Sequence, residues 1–494
     1  MKKNVLIVIM CVLCQFWAGT QLKALTVATP PADEQGDVQV LEAEHPEIIE
    51  RFVAKVESAG QLEAVLGDKI NCIDTLVVEG TLDAADFDAL WRTTYYGNTT
   101  VIDMVGADCS GKIPDCAFYK QDIQVDENEK FTSIKLRSIV LGDDITEIGE
   151  SAFRSARKLE RMNIPEHLQL IGQYAFAACS GLNVPLFVFP EGIEIQLGAF
   201  LRSGLIGKAV FGDVKLIGDD CFYGTRLLDV VFNGTVDKIG FEAFRDCEFT
   251  YADFSKVEEL SASVLYGARE CTQIVLNDNL TTIPFYFARC CSALELCNIP
   301  QKCERIESDA FYLCEKLQDV EFPEGLRAID YSAFAECQSL KMLQFPASLE
   351  NLGQWAFSGC SGVVLLGSRA MTPPVCGKDV FDGVSEDAPL LVPEGTAELY
   401  RNAPGWNRFR IILETSYFPS SVDEVFASDA DSRICGGIGE IRIVGSNSAF
   451  CEVYATDGRK VTQARIADGA ATIEVKAGIY LVRLGGKVAK VQVK

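Results

Sequence analysis

Leu317-Gln318-Asp319-Val320-Glu321-Phe322-Pro323-Glu324-Gly325-Leu326-Arg327-Ala328-Ile329-Asp330-Tyr331-Ser332-Ala333-Phe334-Ala335-Glu336-Cys337 is the stretch on which the fold turns. Leu317, Val320 and Phe322 are spaced as in a short strand packing on one side, because side chains two apart in a strand point the same way. Pro323 ends that strand, since it lacks an amide donor and fixes its own dihedral. Leu326 and Ile329 follow, then Ser332-Ala333-Phe334 and, three residues on, Cys337. The flanking units repeat this grammar. Ile299-Pro300, Ile306, Ala310-Phe311 and Cys314 precede it; Phe345-Pro346, Leu352-Gly353, Ala356-Phe357 and Cys360 follow.

Working outward, the aromatic position recurs at Phe118, Phe153, Phe176, Phe200, Phe222 and Phe244, then at Leu265, Phe287, Phe311, Phe334, Phe357 and Phe381. After a first gap of 35, the steps are 23, 24, 22, 22, 21, 22, 24, 23, 23 and 24 residues. One unit of this size cannot bury its apolar side alone, whereas stacked units cover one another and share a continuous core. The recurring phenylalanine is predicted to fill the interior once per turn. Units at Ala199-Phe200, Cys221-Phe222 and Val264-Leu265 depart most from the pattern, which predicts a less regular middle.

The run Ile-Pro-x-x-Leu-x-x-Ile-x-x-x-Ala-Phe-x-x-Cys resembles the BspA-like leucine-rich repeats, a class of bacterial surface proteins common in Bacteroidetes. The resemblance covers about residues 112–414. It implies a repeat solenoid of leucine-rich repeats with short parallel strands, no enzymatic activity, and protein binding or adhesion to host or neighbouring cells.

An open solenoid needs caps. At the front, Ile48, Ile49, Phe52, Val53 and Val56 form a helical apolar stripe within Pro46 to Leu66. Strands are predicted at Ile73 to Val78 and Thr100 to Met104, with a helix over Leu82 to Arg92. At the back, Leu391-Val392-Pro393-Glu394-Gly395, Tyr400 and Pro404-Gly405-Trp406 resemble the closing unit of the same family, with Trp406 and Phe409 as a lid. Alternating segments at Ile441 to Val444, Phe450 to Tyr454, Ala471 to Val475, Ile479 to Leu484 and Val488 to Val493 predict a small C-terminal all-β sandwich. Tyr454-x-x-Asp457-Gly458-Arg459-Lys460-Val461 and Gly478-Ile479-Tyr480-Leu481-Val482-Arg483 are similar to the C-terminal sorting domains of the type IX secretion route. That resemblance implies passage across an outer membrane, with a plain accessory sandwich as the alternative. The expected organisation is a signal peptide over 1–24, a helical and stranded cap over 25–111, the solenoid with its capping unit over 112–414, a linker over 415–436 and the sandwich over 437–494.

Lys2 and Lys3 followed by the apolar run Val5 to Val12 read as an export signal, too short to span a membrane. Cys11 and Cys14 raise a lipoprotein anchor as a rival, but Met10 and Leu13 precede them where such a signal needs a small residue. No later stretch is a transmembrane candidate, and the chain is expected to be secreted or displayed on the outer cell surface. Its 45 basic and 70 acidic residues give a net charge of −25. So acidic a surface repels phosphate backbones, so nucleic acid is not an expected partner. Oligomeric state is left open.

Only two histidines occur, His45 and His167, in different regions. They leave no Ser-His-Asp or Cys-His arrangement and no His-rich zinc site, and no phosphate loop is present. No cofactor or metal is expected. Of nineteen cysteines, Cys179, Cys247, Cys290, Cys314, Cys337 and Cys360 fall three residues after the repeat phenylalanine. They read as a stacked ladder of small buried hydrophobes, with disulfides between rungs as the rival; Cys109 with Cys116 and Cys435 with Cys451 are looser candidate pairs.

Function is expected at the outward positions between strand core residues. Aligning the units gives Arg161 and Asn163, Leu186 and Val188, Lys208 and Val210, and Asp229 and Val231. Next come Tyr251 and Asp253, Gln273 and Val275, Leu296 and Asn298, Asp319 and Glu321, and Met342 and Gln344. Leu186, Val188, Val210, Val231, Tyr251, Val275 and Leu296 make an apolar band there, and with Asp253 and Asn298 they form the candidate face for a protein partner. Strand propensity alone, or cover by flanking loops, would explain the same residues. Glycan or nutrient capture would want clustered exposed aromatics, and only Tyr251 qualifies on this face. A secreted hydrolase would need a convergent acid–base pair that the sequence does not assemble.

Overall fold

The computed structural model describes residues 47–120, 134–416, 418, 433–436, 439–444, 450–455, 459–467, 470–484 and 487–493. The signal segment with Cys11 and Cys14, His45, and most of the expected linker lie outside the described residues. The chain divides into two compact units, Met1–Ile206 and Gly207–Lys494.

In the first unit, Ile49–Val56, Ile73–Thr81, Val101–Asp108, Ser138–Val140 and Arg161–Met162 pair in that order as a parallel sheet. The helix expected within Pro46 to Leu66 is therefore a strand over most of its apolar stripe. Four of the five stripe residues are β-branched Ile or Val, which favour the pleated surface. Pairing with Ile73–Thr81 buries Ala54 and Val56 and leaves Ile48 and Val53 exposed. Gly80 makes that pairing feasible: at φ +105 a Cβ would lie 2.0 Å from the Val56 carbonyl oxygen. Among the described residues of the first unit, α-helix is confined to Leu62–Leu66, which runs on as a 3-10 turn over Gly67–Asn71, and to Ala84–Tyr95. The latter starts in a capping box, where Asp83 accepts from Ala85 and Asp86 amides and Asp86 accepts back from Asp83. The buried Asp86 carboxylate also accepts from the Gly60 and Leu62 amides, at 2.7 and 2.8 Å. It thus ties the helix start to the preceding loop.

Both units contain the same coil. One side is the strand sheet already described; a second side carries shorter parallel strands. These are Lys112–Ile113, Glu147–Ile148, Leu170–Ile171 and Ile193–Ile195 in the first unit. In the second unit they run from Val214–Ile217 through Val236–Ile239 to Val257–Leu260, and from Thr282–Ile283 to Val375–Cys376. The third side is the Ala-Phe turn. Its alternate amides donate to the next rung: Ser151 to Gln173, Phe153 to Ala175 and Ser155 to Ala177, and likewise Asp309 to Tyr331, Phe311 to Ala333 and Leu313 to Ala335. Turn backbone buried among neighbours needs such partners. Ser151, Ser155, Asp309 and Leu313 all adopt positive φ to present them, a cost of order 1 kcal/mol each that the ladder sustains.

The repeat phenylalanines line up inside. Ring centroids of Phe118, Phe153, Phe176 and Phe200 follow one another at 5.0, 5.1 and 5.2 Å, nearly parallel. In the second unit Phe222 stacks on Phe244 at 5.3 Å, and Phe311, Phe334 and Phe357 stack at 5.1 and 5.3 Å. At Phe222 and Leu265, where irregularity was expected, the turn ladder runs on, their amides donating to the Ala243 and Phe287 carbonyls, although Leu265 leaves its slot without a ring. That region has some of the longest strands of the array, including Ile206–Phe211 and Arg226–Phe232.

The irregular unit is instead at Phe287. Leu265 donates its amide to the Phe287 carbonyl and Ala288 donates to the Ala310 carbonyl, so Phe287 occupies the alanine slot and Ala288 the phenylalanine slot. Phe287 accordingly meets Phe311 edge-on, at 79°. The inversion also moves the cysteine: Cys291, not Cys290, belongs to the ladder. Cys291 Sγ donates to the Leu265 carbonyl at 3.1 Å, as Cys314, Cys337 and Cys360 donate to Ala288, Phe311 and Phe334 at 3.2, 3.2 and 3.1 Å. Cys290 is a half-buried positive-φ turn residue. The ladder thiols are free, as are Cys109, Cys116 and Cys451, so the suggested bridges are not formed.

The array closes with Leu390–Val392, a helix Ala397–Asn402 and Ile412–Glu414. Trp406 packs on Phe381 and Tyr400, and its indole N–H donates to the Pro374 carbonyl. Phe409 packs on Phe381, completing the lid. Beyond it lie two antiparallel sheets. Arg433–Gly436, Glu440–Val444 and Ala470–Glu474 form one; Lys460–Arg465, Phe450–Ala455, Gly478–Leu484 and Lys487–Val493 form the other. Ile441, Ile443, Val453, Ile473, Val482 and Val491 fill the core between them. The strand Arg433–Gly436 falls within the linker expected over 415–436.

Candidate partner-binding face

The outward positions of the strand sheet are where the alignment of units put them. In the first unit, Leu186 and Val188 stand out from the strand Leu186–Phe189, 51% and 57% exposed, while Phe187 and Phe189 point inward. In the second unit, Tyr251, Gln273 and Leu296 are in register on consecutive rungs, with Tyr251 and Leu296 41% and 49% exposed. A second row places Asp253 against Val275, and the Val230–Ala252 pairing puts Val231 beside Asp253. Val210, Val231 and Val275 are half-buried.

The band is more polar than its aliphatic residues suggest. Lys208 and Asp229 pair at 2.8 Å among them. Asp253 accepts from the Ser255 amide at 3.0 Å. Burial, and then the Asp253 carboxylate, hold the Tyr251 phenol above its ordinary range. Asn298 is committed to the scaffold. Its Oδ1 accepts from the Leu276 amide and its Nδ2 donates to the Leu276 carbonyl, at 2.7 and 3.0 Å, extending the ladder where the strand stops. Asn163 does the same for Leu141. Both were aligned as outward positions, but their amides are consumed by backbone.

Sequence reasoning stopped at Met342 and Gln344 and missed the far end of this face. The outward rows continue through Met342–Phe345, Leu365–Ser368, Leu390–Val392 and Ile412–Glu414. There Leu365, Leu391 and Leu413 are buried against Leu481 of the C-terminal sandwich, with Met342, Phe418 and Tyr454 packed around them. Arg483 also donates to the Glu414 carbonyl. The signal was available: Leu365, Leu391 and Leu413 are apolar at the outward phase of a strand, which solvent exposure does not call for.

No three His, Cys, Asp or Glu side chains come together as a metal site among the described residues. The ladder thiols carry no reactive signature either. Burial pushes Cys179, Cys247 and Cys360 up to about 12, and Cys291, Cys314 and Cys337 well above the ordinary value. A thiol held protonated is neither nucleophile nor ligand.

Parallel strands on two sides, a left-handed turn ladder on the third and a phenylalanine column within define a leucine-rich-repeat solenoid. The chain belongs to the BspA-type leucine-rich-repeat family, whose repeat region matches it in six copies over residues 111–224, 215–326 and 284–364, just over half its length. Solved structures similar to it include a leucine-rich repeat protein from Bacteroides ovatus, with 20% identity and a TM-score of 0.39, over 55% of this chain and 82% of that one. A leucine rich cell surface protein from Faecalibacterium prausnitzii has 21% identity and a TM-score of 0.35, over 66% and 90%. The pneumococcal vaccine antigen PcpA has 14% identity and a TM-score of 0.35, over 74% and 92%. No curated protein matches the chain. Among the described residues no helix is long and apolar enough to cross a membrane.

Proposed function

We propose that the chain is an exported, surface-displayed, non-enzymatic interaction protein that holds a protein partner on its strand-lined face. One observation carries this reading. At Leu365, Leu391 and Leu413 the outward rows of the second unit are sealed by a β-domain of the same chain. The corresponding rows at Tyr251, Val275 and Leu296 present similar groups with nothing over them among the described residues. Apolar and aromatic residues interleaved with polar groups such as Asp253 and Gln273 give the mixed surface of a protein-binding site, with Tyr251 as the aromatic anchor. Adhesion to host or neighbouring cells is the role the family resemblance implies. The C-terminal sandwich is proposed to act in sorting the chain to the surface, as its likeness to type IX sorting domains implies.

The test is binding of purified protein to surface proteins of candidate host and neighbouring cells, repeated with Tyr251→Ala and Val231→Asp. A hot-spot tyrosine is worth about 2 kcal/mol or more, so Tyr251→Ala should weaken capture on the order of thirtyfold. Capture indifferent to both substitutions would remove this face from the proposal.

A further inference from the structure

The first unit carries a cleft of about 950 Å³ whose walls include Lys135, Arg137, Arg157, Lys158 and Arg161, with Glu160 as the one carboxylate. In a chain of net charge −25, five cations around one carboxylate are not explained by solubility. Arg137 is engaged by Glu160 through two N–H donors, at 2.7 and 3.0 Å, and Lys135 Nζ donates to the Gly97 carbonyl at 2.5 Å. Lys158 and Arg161 are exposed, and no ion-pair partner is found for either among the described residues. The cations stand on adjacent coils, since the Glu160 and Arg161 amides both donate to the Arg137 carbonyl. That sets them about 4.8 Å apart along the array. Burial, and then the neighbouring Lys158 charge, lower the Lys135 ammonium from its ordinary range.

We propose that this cleft binds a short sugar chain bearing carboxylate or sulfate groups. Arginine forks match both oxyanions in bidentate geometry. The walls carry no aromatic or aliphatic side chain, and Thr100 and Asn183 add a hydroxyl and an amide suited to sugar hydroxyls. An acidic peptide would meet the same arginine cluster, but with no apolar side chain in the walls to pack against its own. A long polyanion would also be repelled by the chain's net charge of −25. The volume lies within the ~300–1,000 Å³ of small-ligand sites.

The full chain is titrated calorimetrically, at physiological salt, with tetragalacturonate, a heparin-derived sulfated tetrasaccharide and neutral maltotetraose. Wild type is compared with Lys158→Glu, Arg161→Glu, their combination, and Arg226→Glu, a charge reversal in the second unit at an arginine paired with Glu248. Binding of one or both acidic sugars, weakened at least tenfold in the double variant and unchanged in Arg226→Glu and Tyr251→Ala, supports the cleft. Binding of tetragalacturonate shows that carboxylates suffice, and binding of the heparin fragment alone shows that sulfate is required. Failure of both acidic sugars to bind, equal binding of maltotetraose, or wild-type affinity in the double variant overturns it. Should the charge reversals lower the melting temperature, the Lys158→Gln and Arg161→Gln pair carries the same test.

Discussion

Cys179, Cys247, Cys291, Cys314, Cys337 and Cys360 each reach a backbone carbonyl of the rung before them. That makes the thiol proton part of the scaffold, with a consequence in pH. Cys179, Cys247 and Cys360 ionise at an ordinary 9.0 when unfolded but hold their protons to about 12 when folded. Between those values the unfolded chain releases protons that the folded chain keeps. Stability is therefore flat below pH 9 and falls as pH rises above it, by about 1.4 kcal/mol per unit for each such thiol. Urea unfolding of the reduced protein at pH 8, 9 and 10 measures this; equal midpoints at pH 8 and 10 would contradict it. Serine does not replace the thiol. Ser203 occupies the same slot, is buried, and its Oγ finds no partner among the described residues, because the shorter C–O bond stops short of the carbonyl. Ser203→Cys should thus raise stability by about 1 kcal/mol, read as a shift in the urea midpoint at pH 7. A destabilised Ser203→Cys would mean that the reach of sulfur is not what the slot selects.

At the level of the coil, the Phe287-Ala288 inversion is a local rewiring that keeps the hydrogen-bond ladder while moving one ring. Adding a ring at Ala288 alone should overpack, because Phe287 already fills the interior there, at a cost of roughly 1–3 kcal/mol. Moving the ring, by Phe287→Ala with Ala288→Phe, should recover most of that loss and couple the two sites by more than 1 kcal/mol. Additive effects in the double-mutant cycle would show that the slots are not exchangeable. This coil also marks where sequence stopped being sufficient. Spacings of 22 and 24 around Phe287 equal two even steps of 23 to Ala288, and only the backbone ladder shows which residue holds the slot. The strand Ile49–Val56 hid for a related reason. Five apolar residues in the nine positions from Ile48 to Val56 fit a helical stripe and a half-buried strand alike, and the partner strand Ile73–Thr81 decided between them. Elements set by their own period, such as the array, the Ala84–Tyr95 helix and most sandwich strands, were legible. Those set by a neighbour were not.

For the molecule as a whole, the outward face could be listed from sequence but its cover could not, since which rows are sealed depends on where the C-terminal sandwich docks within the second unit. Leu365, Leu391 and Leu413 lie under Leu481 there, and the contact replaces solvent on strands that would otherwise be apolar outside as well as in. The sandwich has its own core in Ile441, Ile443, Val453 and Val482, so its removal is expected to leave the solenoid folded but newly adhesive. Deletion of residues 433–494 should therefore increase binding of an apolar dye, and concentrated samples should associate through the bared strands. Introducing Leu391→Lys and Leu413→Lys into the deleted chain should reverse both effects. Light scattering and dye fluorescence across these three proteins decide the matter. A truncated chain that stays monomeric and dye-silent would show that the docking contact shields nothing the solenoid needs shielded, and would take with it the argument that the uncovered rows upstream are built for a partner.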